Sequence, residues 1–172
     1  MINLTLREKQ VLKELLNNCK ISDQEIARRL KTSRPTIFKI RERLEKKGII
    51  KRYIPVIDFE KLNLNLQSVI LYKWRDYSKI KELENTIKFI KSLPEVILFI
   101  KGEGIGSKTD LIISIHEDLK DYERFIRKLK YEWKDNVESV EVFLSSIEGI
   151  SKGYDLTSPA INKITDKIIY SK

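Results

Sequence analysis

The chain has 172 residues and a formal net charge of +9 at pH 7, with 41% hydrophobic and 34% charged residues, enough to bury a core in one domain or two small ones and to exclude wholesale disorder. One Cys excludes a disulfide framework and a Cys-based zinc site, and one His excludes His-rich metal sites, so no metal or other cofactor is expected. The start, MINLTLREKQ, lacks the apolar core of a signal peptide and no apolar run nears the roughly 18 residues of a membrane span, so the expectation is a cytoplasmic protein with no membrane partner.

The charge is lopsided. Residues 1–58 hold 15 of the 34 Lys and Arg and 7 of the 25 Asp and Glu, a net of +8, which leaves +1 for residues 59–172. Such asymmetry points to a polyanion-binding module joined to a neutral one.

The basic third is predicted to be three helices and a strand. Thr5 with Glu8 fits a capping box, and Val11, Leu12, Leu15 and Leu16 follow at helical spacing up to a stop at Asn17-Asn18. Ser22 with Glu25 is a second box, opening a short helix with Ile26, Ala27 and Leu30 on its apolar face. After a turn at Lys31-Thr32, Ser33 caps a third helix with Pro35 in its first turn, where a missing N–H costs little. Ile37, Ile40 and Leu44 form its inner stripe, and Gly48 ends it as a left-handed C-terminal cap. The alternating, β-branched run IIKRYIPVID (residues 49–58) reads as a strand.

Two short helices joined by a tight turn and braced by a first helix make a winged-type helix-turn-helix, whose second helix enters the major groove of DNA. At 100° per residue Pro35, Phe38, Lys39 and Glu42 lie opposite the inner stripe, with Arg34, Thr36 and Arg43 on the flanks. Arg34 and Lys39 then reach guanine edges, Ser33 and Thr36 bond bases or phosphates, Arg28, Arg29 and Lys31 suit phosphates, and Lys46, Lys47, Lys51 and Arg52 add further backbone contacts.

The stretch ISDQEIARRLKTSRPTIFKIRERLEKKGIIKRYIPVIDFEKLNLNL resembles the DNA-binding half of the Lrp/AsnC (feast/famine) transcription regulators. The matching pieces are Ile21-Ser22, Glu25, Ala27 to Leu30, Ser33, Thr36-Ile37, Arg43-Leu44-Glu45, Gly48-Ile49-Ile50 and Asp58 to Leu62, and the resemblance runs to about residue 147. Two departures stand out. The family's turn usually has Gly where Lys31 stands, and its recognition helix usually reads Arg then an apolar residue where Ile40-Arg41 stands.

The remainder is predicted as β-α-β-β-α-β. A strand over 67–74 precedes a helix capped by Ser78, with Ile80, Leu83, Ile87 and Ile90 on one face and a break at Leu93-Pro94. Strands over 95–101 and 110–116 flank the turn GEGIGSKT (102–109). Asp118 caps a second helix with Leu119, Tyr122, Ile126, Leu129 and Trp133 in one stripe, and residues 137–146 alternate as a fourth strand. Two helices on one face of a four-stranded antiparallel sheet give an α+β, ferredoxin-like domain over 67–147, joined to the basic domain (1–58) by a hinge at 59–66. The uncovered sheet face predicts homodimerisation. Residues 148–172 form an extension with a predicted helix from Ser158-Pro159 carrying Ile161, Ile164 and Ile168.

The resemblance implies the same order, dimerisation through the sheets, assembly of dimers often into octamers, and a small effector, usually an amino acid, bound at a Gly- and Asp-bearing loop between the second and third strands. Gly102, Gly104, Gly106 and Asp110 are the candidates here, although this loop is longer than the family's; a hairpin that merely needs glycines explains them as well. His116 and Cys19 have no partner pattern and read as structural. The expectation is a sequence-specific regulator that binds double-stranded DNA and is not an enzyme. The rival readings are a siroheme-decarboxylase-like enzyme on the same pair of folds and a protein-interaction module.

Overall fold

The structure, a computed structural model, describes residues 3–149. The described chain forms two compact units that divide between Val56 and Ile57.

The first unit is helical. Helix α1 (Leu6–Asn17) starts at the expected box: Thr5 Oγ1 accepts from the Glu8 N–H at 3.2 Å, and Glu8 Oε2 accepts from the Thr5 N–H at 2.8 Å. Helix α2 (Asp23–Arg29) is capped by Ser22, whose Oγ accepts from the Glu25 N–H. The reciprocal half of that box does not form, because Arg28 and Arg29 take the Glu25 carboxylate instead. Helix α3 (Arg34–Lys46) follows a Ser33 cap with Pro35 in its first turn. Val11, Ile26, Ile37 and Leu44 are fully buried where the three helices meet, with Leu12, Leu15, Ile21, Ala27 and Ile40 around them. Gly48 ends α3 at φ +66°, where an L side chain is strained.

The strand expected over 49–58 does not form. Residues 51–58 have no ladder partner among the described residues, and a strand without a neighbour leaves its N–H and C=O groups to solvent. The N–H groups of Ile49 and Ile50 both donate to Leu44 O, which pins the start of the segment to α3. Beyond it, Ile54 and Val56 are exposed.

The second unit is the predicted βαββαβ. Its elements are β1 (Leu66–Trp74), α4 (Ile80–Ser92), β2 (Val96–Lys101), β3 (Asp110–His116), α5 (Leu119–Trp133) and β4 (Val137–Ser146). The strands are antiparallel in the order β2-β3-β1-β4. Period-2 alternation points Ser68, Ile70, Tyr72 and Trp74 of β1 and Asp110, Ile112, Ser114 and His116 of β3 to the buried side. There Ile90, Phe125, Leu129 and Trp133 close the core. Two helix details differ from expectation. Ser78 is not the cap of α4; Lys79 is, with no side-chain bond, while the Ser78 N–H donates to Asp76 Oδ1 at 2.8 Å in a local turn. Leu119 and Ile80, each expected inside, lie at the first residue of their helices and are exposed, and Phe125 fills the core in place of Leu119. Asp118 caps α5 as expected, accepting from the Asp121 N–H.

The opposite sheet face carries Val69 and Leu71 of β1, Leu111, Ile113 and Ile115 of β3, and Phe143, which is 66% exposed, on β4. No helix among the described residues is long and apolar enough to cross a membrane. The helix expected after Ser158-Pro159 lies outside the described residues.

Candidate nucleic-acid interface and loop cavity

The candidate interface is built on α3. Burial of Ile37, Ile40 and Leu44 fixes the rotation of the helix, and Ser33, Arg34, Pro35, Thr36, Phe38, Lys39 and Arg43 are left exposed. The polar members run along one row: Ser33 Oγ and Thr36 Oγ1 are 2.8 Å apart, with Lys39 three residues on and Arg43 four beyond. Among the described residues neither Arg34 nor Lys39 has an ion-pair partner, so both cations face solvent uncommitted.

The inverted Ile40-Arg41 pair has a structural use. Arg41 turns back toward α2, donating from Nε to Asp23 Oδ1 at 2.9 Å and from Nη2 to Ile21 O at 3.2 Å, with the Tyr53 ring 5.8 Å from its guanidinium carbon. It braces the helix pair and is withdrawn from the outer face. Ile40 takes the buried position, so the stripe keeps its register.

The turn between α2 and α3 puts Lys31 at φ +48°, the left-handed region favoured by Gly. The Thr32 N–H closes the turn on Ala27 O at 2.9 Å. The backbone therefore keeps the glycine-type turn while the side chain adds an exposed cation. Arg28 and Arg29 are exposed but engaged: both donate to Glu25, and Arg29 Nη1 also donates to Glu14 Oε2 at 2.8 Å. The Arg28 guanidinium, followed by that of Arg29, holds the Glu25 carboxyl well below the usual carboxylate range. Lys51 lies exposed past the end of α3, without an ion-pair partner among the described residues.

In the second unit the 102–109 loop joins β2 to β3. The Gly102 N–H donates to Thr109 O and the Gly104 N–H to Lys108 O, so the hairpin is tightly closed. Gly102, Gly104 and Asp110 line a cavity of about 240 Å³ together with Leu71, Ile100 and Lys108. Gly106 does not line it; it holds φ +62° at the tip and serves the turn.

Asp110 is buried opposite Tyr72 in the strand register. Its Oδ2 accepts from Thr109 Oγ1 at 2.7 Å, while Oδ1 has no hydrogen-bond partner, and burial pushes its carboxyl up from the ordinary value. Sequence reasoning missed Lys108. Its buried ammonium donates to Glu141 Oε1 of β4 at 2.8 Å, and no local pattern announces a contact spanning 33 residues.

A basic helix-turn-helix with a solvent-facing second helix, followed by an antiparallel ferredoxin-like domain, defines a DNA-binding transcription regulator. Residues 4–51 match the winged helix-turn-helix DNA-binding family. A helix-turn-helix-type transcriptional regulator of Pyrococcus abyssi is 30% identical over 139 residues, covering 80% of this chain and 88% of that one. The regulator LrpC of Bacillus subtilis is 28% identical over 121 residues, covering 69% and 78%. Among solved structures, an AsnC family regulator from Agrobacterium tumefaciens superimposes with a TM-score of 0.77 at 18% identity, covering 89% of this chain and 96% of that one. A transcriptional regulator of Neisseria meningitidis, solved as a complex with L-Met, gives 0.75 at 19% identity, covering 90% and 96%. The chain belongs to the Lrp/AsnC family of transcription regulators.

Proposed function

We propose that this regulator reads its operator through the exposed face of α3, with Arg34, Thr36 and Lys39 on base edges and Ser33 and Pro35 at the helix entry. The observation that carries the reading is the pair of uncommitted cations, Arg34 and Lys39, on a helix whose other face is locked by Ile37 and Leu44. Arg28, Arg29, Lys31, Arg43 and Lys51 contact phosphates. Arg28 and Arg29 exchange the Glu25 carboxylate for phosphate oxygens on binding. The protein acts in the cytoplasm, on double-stranded DNA.

The apolar sheet face of Val69, Leu71, Leu111, Ile113 and Phe143 serves as a homodimer surface, which sets two recognition helices on successive turns of the duplex. Dimers further assemble, up to octamers. A small amino-acid effector occupies the loop cavity, with Gly102 and Gly104 offering backbone approach and Asp110 bordering it at the start of β3. The L-Met complex of the Neisseria regulator supports that class of ligand.

The protein is not an enzyme. The decarboxylase reading needs an accessible histidine, and His116, the only histidine of the chain, is fully buried against Tyr122 and Phe125. Selection of bound duplexes from a random pool, with and without each amino acid, tests the proposal. Enrichment of a two-fold symmetric site that shifts with one amino acid supports it, and no enrichment of any sequence rejects it.

A further inference from the structure

The exposed face of α3 carries two rows of different chemistry. Beside the polar row of Ser33, Thr36 and Lys39 runs a short apolar one, Pro35 and Phe38, three residues apart and so one above the other on the helix. Phe38 is 59% exposed, whereas its neighbour Ile37 is fully buried. The ring belongs to neither hydrophobic core and makes no aromatic contact among the described residues. A large aromatic held in water beside Arg34 and Lys39, on a module of net charge +8, is apolar surface continuous with a polyanion-binding face.

Of the groups a duplex presents in its major groove, one is apolar: the C5-methyl of thymine. We propose that Phe38, supported by Pro35, is a specificity-determining residue that packs on thymine methyl groups and so imposes thymine within each half-site. The inference rests on α3 being the reading helix and adds a base identity that the cations do not supply. Arg34 and Lys39 select hydrogen-bond acceptors, which guanine presents at N7 and O6. Phe38 selects a methyl, which cytosine and uracil lack. Pro35 has no N–H to compete for a base edge, and its ring extends the same apolar surface.

The test uses the full-length protein and the duplex enriched from the random pool. Each thymine of the half-site is replaced in turn by uracil, which removes the methyl and leaves every hydrogen-bonding group in place. At one or two positions wild-type affinity should fall about four-fold, the factor for losing one buried methyl-sized group. Phe38→Ala should bind the thymine and uracil duplexes equally, and Phe38→Leu should retain part of the difference. The variants' circular dichroism should match wild type, since the ring is outside the core. Wild-type indifference to every replacement overturns the assignment, as does a thymine preference that survives in Phe38→Ala. A drop in solution mass for Phe38→Ala with its thymine preference intact would also overturn it, by assigning the ring to a protein contact. If no duplex is enriched at all, the reading of α3 itself fails. If one is enriched and uracil changes nothing, only the role of Phe38 fails.

Discussion

Glu8 Oε1 receives the Lys47 ammonium at 2.8 Å, joining the first turn of α1 to the C-cap of α3. The same buried carboxylate caps the Thr5 N–H through Oε2 and has the Arg43 guanidinium 3.7 Å away. One side chain thus ties the start of the domain to the end of α3.

That tie predicts a pH dependence. The Lys47 ammonium first, and the Thr5 bonds after it, pull the Glu8 carboxyl down to about 2 against the desolvation that raises it. A carboxyl depressed in the folded state contributes stability that is fully present above its unfolded value near 4.5 and is lost as the pH falls toward 2. Glu8→Gln should cost about 2 kcal/mol at pH 7, in the range of a charge-assisted bond. Urea unfolding of wild type and variant should show that gap closing between pH 4.5 and 2; a constant gap would mean the carboxylate's charge is immaterial.

Lys31 sets fold against function. At φ +48° a side chain is strained, and Gly removes the strain. Lys31→Gly should therefore stabilise the domain by about 0.5–1 kcal/mol. It should also weaken binding to any duplex and lower the slope of log affinity against log salt by about 1. Thermal melts and a salt titration read the two effects separately.

Arg34 and Lys51 should part company. Arg34→Ala should cost about 1–3 kcal/mol on the selected duplex and little on random DNA, whereas Lys51→Ala should weaken both alike. Equal losses for Arg34→Ala on the two duplexes would place it on the phosphates.

The two loop glycines give opposite expectations. A Cβ at Gly102 meets nothing within 4 Å, while Gly106 sits at φ +62°. Gly106→Ala should destabilise the second unit by about 1 kcal/mol. Gly102→Ala should leave stability unchanged and alter only amino-acid binding, measured by calorimetry.

Much of this architecture is legible in the sequence because its signals are local. Thr5, Ser22, Ser33 and Asp118 each cap the helix that follows, and alternation over 137–146 marks the fourth strand. The inner stripe of α3 follows directly from spacing. What stayed hidden depends on distant partners. Alternation over 49–58 gives strand propensity, but a strand exists only where a neighbour completes its ladder. The inverted Ile40-Arg41 pair reads only as a departure from the family pattern until Asp23, 18 residues away, engages Arg41. Lys108 shows its burial only once β4 brings Glu141 beside it.

His116 tests how far a buried polar chain can be mistaken for a site. Its Nε2 is 2.8 Å from Ser114 Oγ, which is 2.6 Å from Ser68 Oγ, and Nδ1 lies 3.4 Å from Asp121 Oδ2, within ion-pair range but long for a hydrogen bond. The order serine, histidine, aspartate resembles that of a nucleophilic triad, yet Ser114 and His116 are both fully buried, so no substrate reaches the hydroxyl. The arrangement instead pins β1 to β3 beneath α5. Burial lowers the His116 pKa, and Asp121 only partly restores it. A histidine depressed in the folded state contributes stability that is complete above its unfolded value near 6.5 and is lost as the pH falls below it, because the unfolded chain then binds a proton that the native core refuses. Wild-type stability should therefore decline from pH 7 toward pH 5. His116→Phe should flatten that segment of the profile while leaving the Glu8-dependent loss at lower pH. In wild type the imidazole proton resonances should not move through pH 6.5, and a normal titration there would show that the ring is accessible and the buried chain open.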